Sequence, residues 1–403
     1  MQDVVGPIET PPVTGSRGGK ILLRVLLVAS LLVLLPAAAG WLNSFWTSLA
    51  VIFASSVCGV VLYTPIAVRL AHKLGAIDIP RGRHAHEQPT PRLGGLAIWF
   101  GVMLALVLTS MHYMPNLRAL LICSTLMLAV GAVDDVIGVS AAVRILVQLG
   151  SCAFLIADGV HVTFLPPTAW GVAGEWVITA VWIVGITNAI NFLDGIDGLV
   201  SGMVVGTSLM YFLLALLLGS SMLAYCSVAL MGACLAFLAF NFKPARIFMG
   251  DGGSSFLGFF LATLSVQGGW AKHNPLVSFF IPILLLSVPI YDMVFTTVAR
   301  IASGRVRSVR EWLEYTGRDH IHHRLGDLGL SKAQVMLTIC FLNLTVGLGA
   351  VTLFEARTYG GVALIIEAIG VYVVFALLEV LAGRKKNGPE NSGKPDAHEV
   401  VKE

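Results

Sequence analysis

Four hundred and three residues would ordinarily fold as two or three soluble domains, but 56% hydrophobic against 12% charged residues is too apolar for a soluble globule. The chain reads instead as an all-α, polytopic integral membrane protein, because its apolar runs are continuous and Leu-rich rather than alternating with period two, which excludes a β-barrel. A formal charge of +3 gives no ground for a nucleic-acid partner. All six cysteines (Cys58, Cys123, Cys152, Cys226, Cys234 and Cys340) lie inside apolar runs as small core hydrophobes, which argues against a disulfide framework or thiolate metal cluster.

A membrane-crossing helix needs roughly 20 apolar residues. In chain order, a disordered tail over 1–20 is followed by twelve expected spans, near 21–41, 45–70, 93–111, 117–133, 142–158, 176–191, 197–219, 222–240, 254–269, 276–299, 333–353 and 360–382. The 21–41 run is an additional N-terminal helix. A signal peptide is the alternative, since Arg17, Lys20 and Arg24 precede a Leu-rich stretch ending in Pro36-Ala37-Ala38-Ala39. Residues 45–382 form the main membrane domain, and 383–403 a second disordered tail rich in Lys, Glu and Gly.

Twelve crossings put 23 of the 26 Lys and Arg on one face, leaving Arg118, Lys272 and Arg357 on the other. Basic residues accumulate on the cytoplasmic side, so the crowded face is cytoplasmic and the expected location is a bacterial cytoplasmic (inner) membrane. Five polar clusters share that face: Asp78-Ile79-Pro80 with Arg81, Arg83 and His86; Asp134-Asp135; Asn188 to Gly198; Asn241 to Ser255; and Asp319 to Arg324.

Adjacent like charges at Asp134-Asp135 repel unless a cation offsets them, which points to Mg²⁺ or an activated base, with a solvated helix end as the bland alternative. Asn188, Asn191, Asp194 and Asp197 recur every third residue. On a helix they would form one polar face, costly against lipid and suited by its oxygen donors to Mg²⁺; interhelical hydrogen bonding is the structural alternative. Gly250-Asp251-Gly252-Gly253-Ser254 opens the ninth span, placing free backbone amides beside one carboxylate, as phosphate binding requires. Upstream, Asn241 and Phe248 can hydrogen-bond and stack on a base. His320, His322 and His323 have no thiolate or spaced fourth ligand and are not zinc-like; beside Arg318 and Arg324 they suit a pyrophosphate, or are simply loop histidines. Asp292, inside the tenth span, is explained as well by a buried structural contact as by function.

Together these motifs resemble the polyprenyl-phosphate N-acetylhexosamine-1-phosphate transferases over residues 45 to 382. The likeness rests on Asp78-x-Pro80 through Pro91-Arg92-Leu93-Gly94-Gly95, Asp134-Asp135, Asn188-Ala-Ile-Asn191-Phe-Leu-Asp194-Gly-Ile-Asp197-Gly198, Asn241 through Gly250-Asp251, and the His-x-His-His loop. It departs at Gly252, where the family more often has Thr, Ser or Ala, and in the extra 21–41 span. The resemblance implies transfer of a sugar-1-phosphate from a UDP-sugar to undecaprenyl or decaprenyl phosphate in the bilayer, with release of UMP and with Mg²⁺ or Mn²⁺ as cofactor. It implies Asn191 and Asp251 as metal ligands, and Asp134 as the group that orients or deprotonates the lipid phosphate, supported by Asp135. It also implies a substrate-binding set: Asn188, Asp194, Asp197, Asn241 and Phe248 toward uridine, and Arg83, His86, His320, His322 and His323 toward phosphates and sugar. A homodimer is compatible with this reading, which leaves the oligomeric state open.

His320-Ile321-His322-His323-Arg324 is similar to the N-acetylglucosamine branch, whereas the muramoyl-pentapeptide branch resembles an uninterrupted His triplet, so UDP-GlcNAc is the expected donor and the muramoyl enzyme the alternative. A secondary transporter is the reading from another class, but transporters place ionisable groups near the midplane and here they gather at one boundary. A CDP-alcohol phosphotransferase would require Asp-Gly-x-x-Ala-Arg, and Asp197-Gly198 is followed by Leu-Val-Ser-Gly.

Overall fold

The computed structural model describes residues 28, 44–80, 89–109, 117–270, 275–308, 311, 317, 319–356 and 358–386. Apart from Val28, the tail and extra span expected before residue 44 fall outside that set, as do Arg83, His86 and Arg318. The described chain is helical except for a two-stranded ribbon. Its elements are α1 (Phe45–Leu74), β1 (Ile77–Asp78), β2 (Thr90–Pro91), α2 (Gly95–Thr109), α3 (Leu117–Ile137), α4 (Ala141–Ala157), α5 (Ala169–Leu193), α6 (Leu199–Leu218) and α7 (Ser221–Asn241). They continue with α8 (Gly250–Gln267), α9 (Pro275–Leu285), α10 (Ser287–Ala302), α11 (Ile321–Asp327), α12 (Lys332–Glu355) and α13 (Thr358–Lys386).

Every span expected between 45 and 382 falls on a helix or a helix pair. Seven helices (α1, α3, α5, α6, α7, α12 and α13) are by themselves long and apolar enough to cross a membrane, while α2 and α4 are apolar but shorter. The single span expected over 276–299 is instead broken: α9 and α10 meet at Leu286 with a bend of 83°. Pro282 near the end of α9 and Pro289 in the first turn of α10 flank the break; a proline without an N–H is tolerated at a helix start but interrupts a helix interior. The last helix also runs to Lys386, past the expected start of the tail at 383.

Local sequence sets the ends. Ser44 and Thr47 form a capping box at the start of α1, and Gly75 closes that helix with φ 74°; Ser331 and Gln334 cap α12 likewise. Helix α8 lies at the centre, packed by α2, α3 and α5, with Phe256, Phe259 and Phe260 wholly buried. Helices in lipid associate through close packing of small residues rather than a hydrophobic drive. Accordingly, a Cβ at Gly131 of α3 would stand 2.5 Å from the carbonyl oxygen of Asp251 and from Gly252 Cα, and one at Gly252 would stand 2.9 Å from Ala132 N. The departure noted at Gly252 therefore matches an α3–α8 crossing with no room for a side chain. Helix α13 stands at the edge, with only 11% of its apolar stretch buried.

Candidate functional site

The ends of α3, α5, α7 and α8 surround a cavity of about 740 Å³, closed on other sides by the ribbon and the start of α12. Asp135, Asp194, Asp197, Asn241, Phe248 and Asp251 line it, together with Asp78, Arg92 and Lys332. Backbone pairing brings the distant motifs to one place. Asp78 pairs with Thr90 across the ribbon, Phe248 N–H donates to Pro91 O at 2.7 Å, and Gly94 and Gly95 N–H donate to the carbonyls of Phe248 and Met249 at 2.9 and 2.8 Å. Arg92 holds Asp78 at 2.7 Å. Five carboxylates against two cations make an acidic chamber, a natural setting for a divalent cation carrying a polyanion.

The two adjacent aspartates do different things. Asp135 accepts hydrogen bonds from the N–H groups of Asp251 and Gly252 at 3.0 and 3.2 Å, so it caps the N-terminus of α8. Those amides, read from sequence as free for phosphate, are occupied: a carboxylate from α3 satisfies the unpaired donors and the positive end of the dipole. Asp134 turns the other way, accepting from Val139 N–H and from Arg144 Nη1 at 2.7 Å. The same Arg144 nitrogen is 3.6 Å from Asp251 Oδ2, so the guanidinium lies between two carboxylates. As a lone Arg in an apolar helix, Arg144 carried no motif; only its position in the first turn of α4, against Asp134 in the last turn of α3, gives it a place in the site.

The polar stripe expected over 188–197 holds only for its first half. Helix α5 stops at Leu193, Asp194 is its C-cap, and the turn runs to Gly198, whose φ of 78° starts α6. Asn188 points away from the cavity, its Nδ2 donating to Gln148 Oε1 at 2.8 Å and to Val184 O at 2.8 Å. Asn191 Nδ2 donates to Asp251 Oδ1 at 2.9 Å and to Ser254 Oγ at 2.8 Å. Burial, and then the carboxylates of Asp251, Asp135 and Asp197, push Asp194 up to about 8, so at neutral pH it keeps a proton and can donate a hydrogen bond. Asp197 accepts from Ala245 N–H at 3.3 Å. Asn241 lines the cavity, yet its Oδ1 accepts from Gly198 N–H at 2.8 Å and its Nδ2 donates to Ile247 O at 2.9 Å. Its amide thus ties the α6 start to the Phe248 segment, and the base contact expected of it would have to displace these bonds.

His320 and His322 are buried, and neither is among the residues that line the cavity. His322 is buried and packs its Nε2 against Gly195, where a Cβ would overlap it; Gly195 itself lines the cavity. Burial, then neighbouring His323, push His322 down to about 3, so it is neutral, and its Nδ1 is buried without a partner. His320 Nδ1 lies 2.7 Å from Asp292 Oδ2, and Arg300 donates both to Asp319 Oδ2 and Oδ1, at 2.8 and 2.7 Å, and toward His320 Nε2 at 3.4 Å. Burial raises the Asp319 carboxyl, but the two bonds from Arg300 outweigh it and hold it below its ordinary value. Arg324 is engaged by Asp292 and by the carbonyl of Asp319. In this arrangement His322 is neutral, His320 is bound to a carboxylate, and Arg324 is turned into the protein. Asp292 is the anchor of the segment, accepting also from Ile321 N–H at 2.6 Å.

The metal reading can be tested against donor chemistry. Among the described residues no three His, Cys, Asp or Glu side chains converge as a cage. Asp251 lines the cavity with hard oxygen donors and its side chain is 43% exposed, while Asn191 presents its Nδ2 to Asp251 and Ser254. Mg²⁺ characteristically takes one or two protein oxygens and completes its shell with water and substrate phosphate, so Asp251 fits it, and among the described residues no Zn²⁺ site is offered.

Comparison with known proteins gives a consistent picture. Residues 117–269 match the model of the family described as glycosyl transferase family 4. The chain is 34% identical over 336 residues to the probable undecaprenyl-phosphate N-acetylglucosaminyl 1-phosphate transferase of Bacillus subtilis, covering 82% of this chain and 89% of that one. It is 32% identical over 345 residues to the decaprenyl-phosphate N-acetylglucosaminephosphotransferase of Mycobacterium tuberculosis, covering 77% and 84%. The undecaprenyl-phosphate alpha-N-acetylglucosaminyl 1-phosphate transferase of Yersinia pestis is 28% identical over 291 residues, covering 68% and 76%.

Proposed function

Because the chain belongs to glycosyl transferase family 4, we propose that it transfers N-acetylglucosamine-1-phosphate from UDP-GlcNAc to a polyprenyl phosphate, releasing UMP and initiating a cell-envelope polysaccharide. The observation that carries this reading is the acidic cavity at the ends of α3, α5, α7 and α8, in which four separated motifs meet. A soluble nucleotide sugar can enter it from water while a lipid phosphate approaches along the bilayer. The relatives named for N-acetylglucosamine favour that donor over a muramoyl-pentapeptide.

In this proposal Asp251 and Asn191 hold Mg²⁺, which when bound neutralises pyrophosphate charge and eases departure of UMP. Asp135 sets the position of Asp251 by gripping its backbone N–H. Asp134 orients the attacking lipid phosphate, and Arg144, held between Asp134 and Asp251, supplies a positive charge that an entering phosphate can share. Asp194 lines the donor side of the cavity, and Phe248 offers a ring for the base. With Mg²⁺ on the pyrophosphate and Arg144 beside the entering lipid phosphate, attack would fall on the phosphorus attached to the sugar, the pyrophosphate bond to UMP would break, and the sugar–oxygen bond would stay intact. Incubation of purified protein with UDP-sugars, polyprenyl phosphate and Mg²⁺ tests this: UMP and a lipid pyrophosphate are expected, and stoichiometric UDP would refute it.

The site then faces the cytoplasm across a bacterial inner membrane. A cysteine replacing Thr163, between α4 and α5, should react with an impermeant maleimide on intact cells, and one replacing Asp327 only after the membrane is opened. Background is low because five native cysteines are buried and Cys340 is partly so. Equal labelling of both on intact cells would overturn the orientation.

A further inference from the structure

A second group of charged side chains lies away from the cavity, where α13 meets α10 and α11. Glu379 of α13 is 7% exposed. Its Oε2 lies 2.9 Å from Arg324 Nε and accepts from Tyr291 Oη at 3.0 Å. Helix α13 is otherwise a peripheral apolar helix, and a carboxylate placed inward on such a helix costs free energy unless a specific partner holds it. Aromatic contacts fix its approach: Tyr372 of α13 stacks on Tyr291 at 4.8 Å and donates to Ser287 Oγ at 2.7 Å.

The partner Arg324 belongs to the histidine segment. Its guanidinium stands 4.2 Å over the Phe295 ring, and it donates to Thr296 Oγ1 at 3.3 Å and to Asp319 O at 2.5 Å. Glu379 therefore clasps the far side of the residue that pins the start of α11 to α10. That helix carries His322, which packs on the Gly195 turn of the cavity wall. We propose that Glu379 is a positioning residue: acting through Arg324, it locks residues 319–327 in the register that holds His322 behind Gly195, and so shapes the donor side of the cavity from the last helix of the protein. The proposal rests on the reading of the cavity as a UDP-sugar site.

Three measurements on full-length protein in lipid nanodiscs decide it. Hydrogen exchange of 319–327 should be faster in Glu379→Ala than in wild type. The KM for UDP-GlcNAc should rise about tenfold, while kcat and the KM for polyprenyl phosphate stay within about twofold. Glu379→Gln, which keeps an acceptor for Tyr291 and Arg324, should recover most of the loss. Unchanged exchange overturns the proposal; so does faster exchange with unchanged KM, or a parallel loss in both KM values with a lowered melting temperature. Wild type that releases no UMP defeats the functional reading instead, and calorimetric binding of UDP to wild type and Glu379→Ala, unequal or equal, then still decides for or against the positioning role.

Discussion

Asp251→Asn is expected to lower UMP release by about 100- to 1000-fold, roughly 3–4 kcal/mol of transition-state stabilisation, the scale of one electrostatic group removed from a reacting centre. The side chain is the half-exposed carboxylate that the cavity, Asn191 and Arg144 share, and Asn keeps its shape while removing the charge that would bind a divalent cation. Stability should be little affected, since the N-terminus of α8 is held by the bonds from the Asp251 and Gly252 amides to Asp135, which the substitution leaves in place. Chelation of wild type with EDTA should reproduce the loss, and Mg²⁺ should reverse it in wild type but not in the variant. Full turnover in EDTA would remove the metal from the mechanism.

Gly131→Ala and Gly150→Ala should act with opposite sign. Both lie in helices, where Ala is intrinsically better than Gly by about 1 kcal/mol. At Gly150 an added Cβ meets nothing within 4 Å, so melting temperature should hold or rise and activity should be unchanged. At Gly131 the Cβ would stand 2.5 Å from backbone atoms of Asp251 and Gly252. Neither is a flexible side chain, so α3 must separate from α8 at an overpacking cost of about 1–3 kcal/mol. The separation also carries Asp134 and Asp135 away from Asp251, so UMP release should fall below detection together with the melting temperature. Equal effects at the two positions would refute the close crossing.

How far the sequence could be read depends on what kind of information each feature carries. Spans were legible because apolar runs of helical length have few alternatives, and the clusters on one face were legible because ionisable groups at membrane boundaries need a reason. The break at Leu286 was not, since Pro282 and Pro289 sit in an uninterrupted apolar run and prolines in membrane helices are often accommodated. The 188–197 spacing misled because a period of three signals a face only while the helix lasts, and Asp194-Gly195 ends it. The span count put Asp135 and Gly250–Ser254 on one face but could not say that the carboxylate would occupy the amides. Arg144 and Glu379 were invisible for a common reason: each is an isolated charge within an apolar stretch, and its partner lies on a different helix.

Helix α8 is the most buried of the bundle, yet it is not among the helices apolar enough to cross a membrane alone. Its lining helices α2, α3 and α5 all precede it in the chain, so during synthesis the slot that receives it is made before it leaves the ribosome. Asp251 at its start thus enters the bilayer region with its cap, Asp135, already waiting, and the translocation machinery never has to present this Gly-rich, Asp-bearing start to bare lipid.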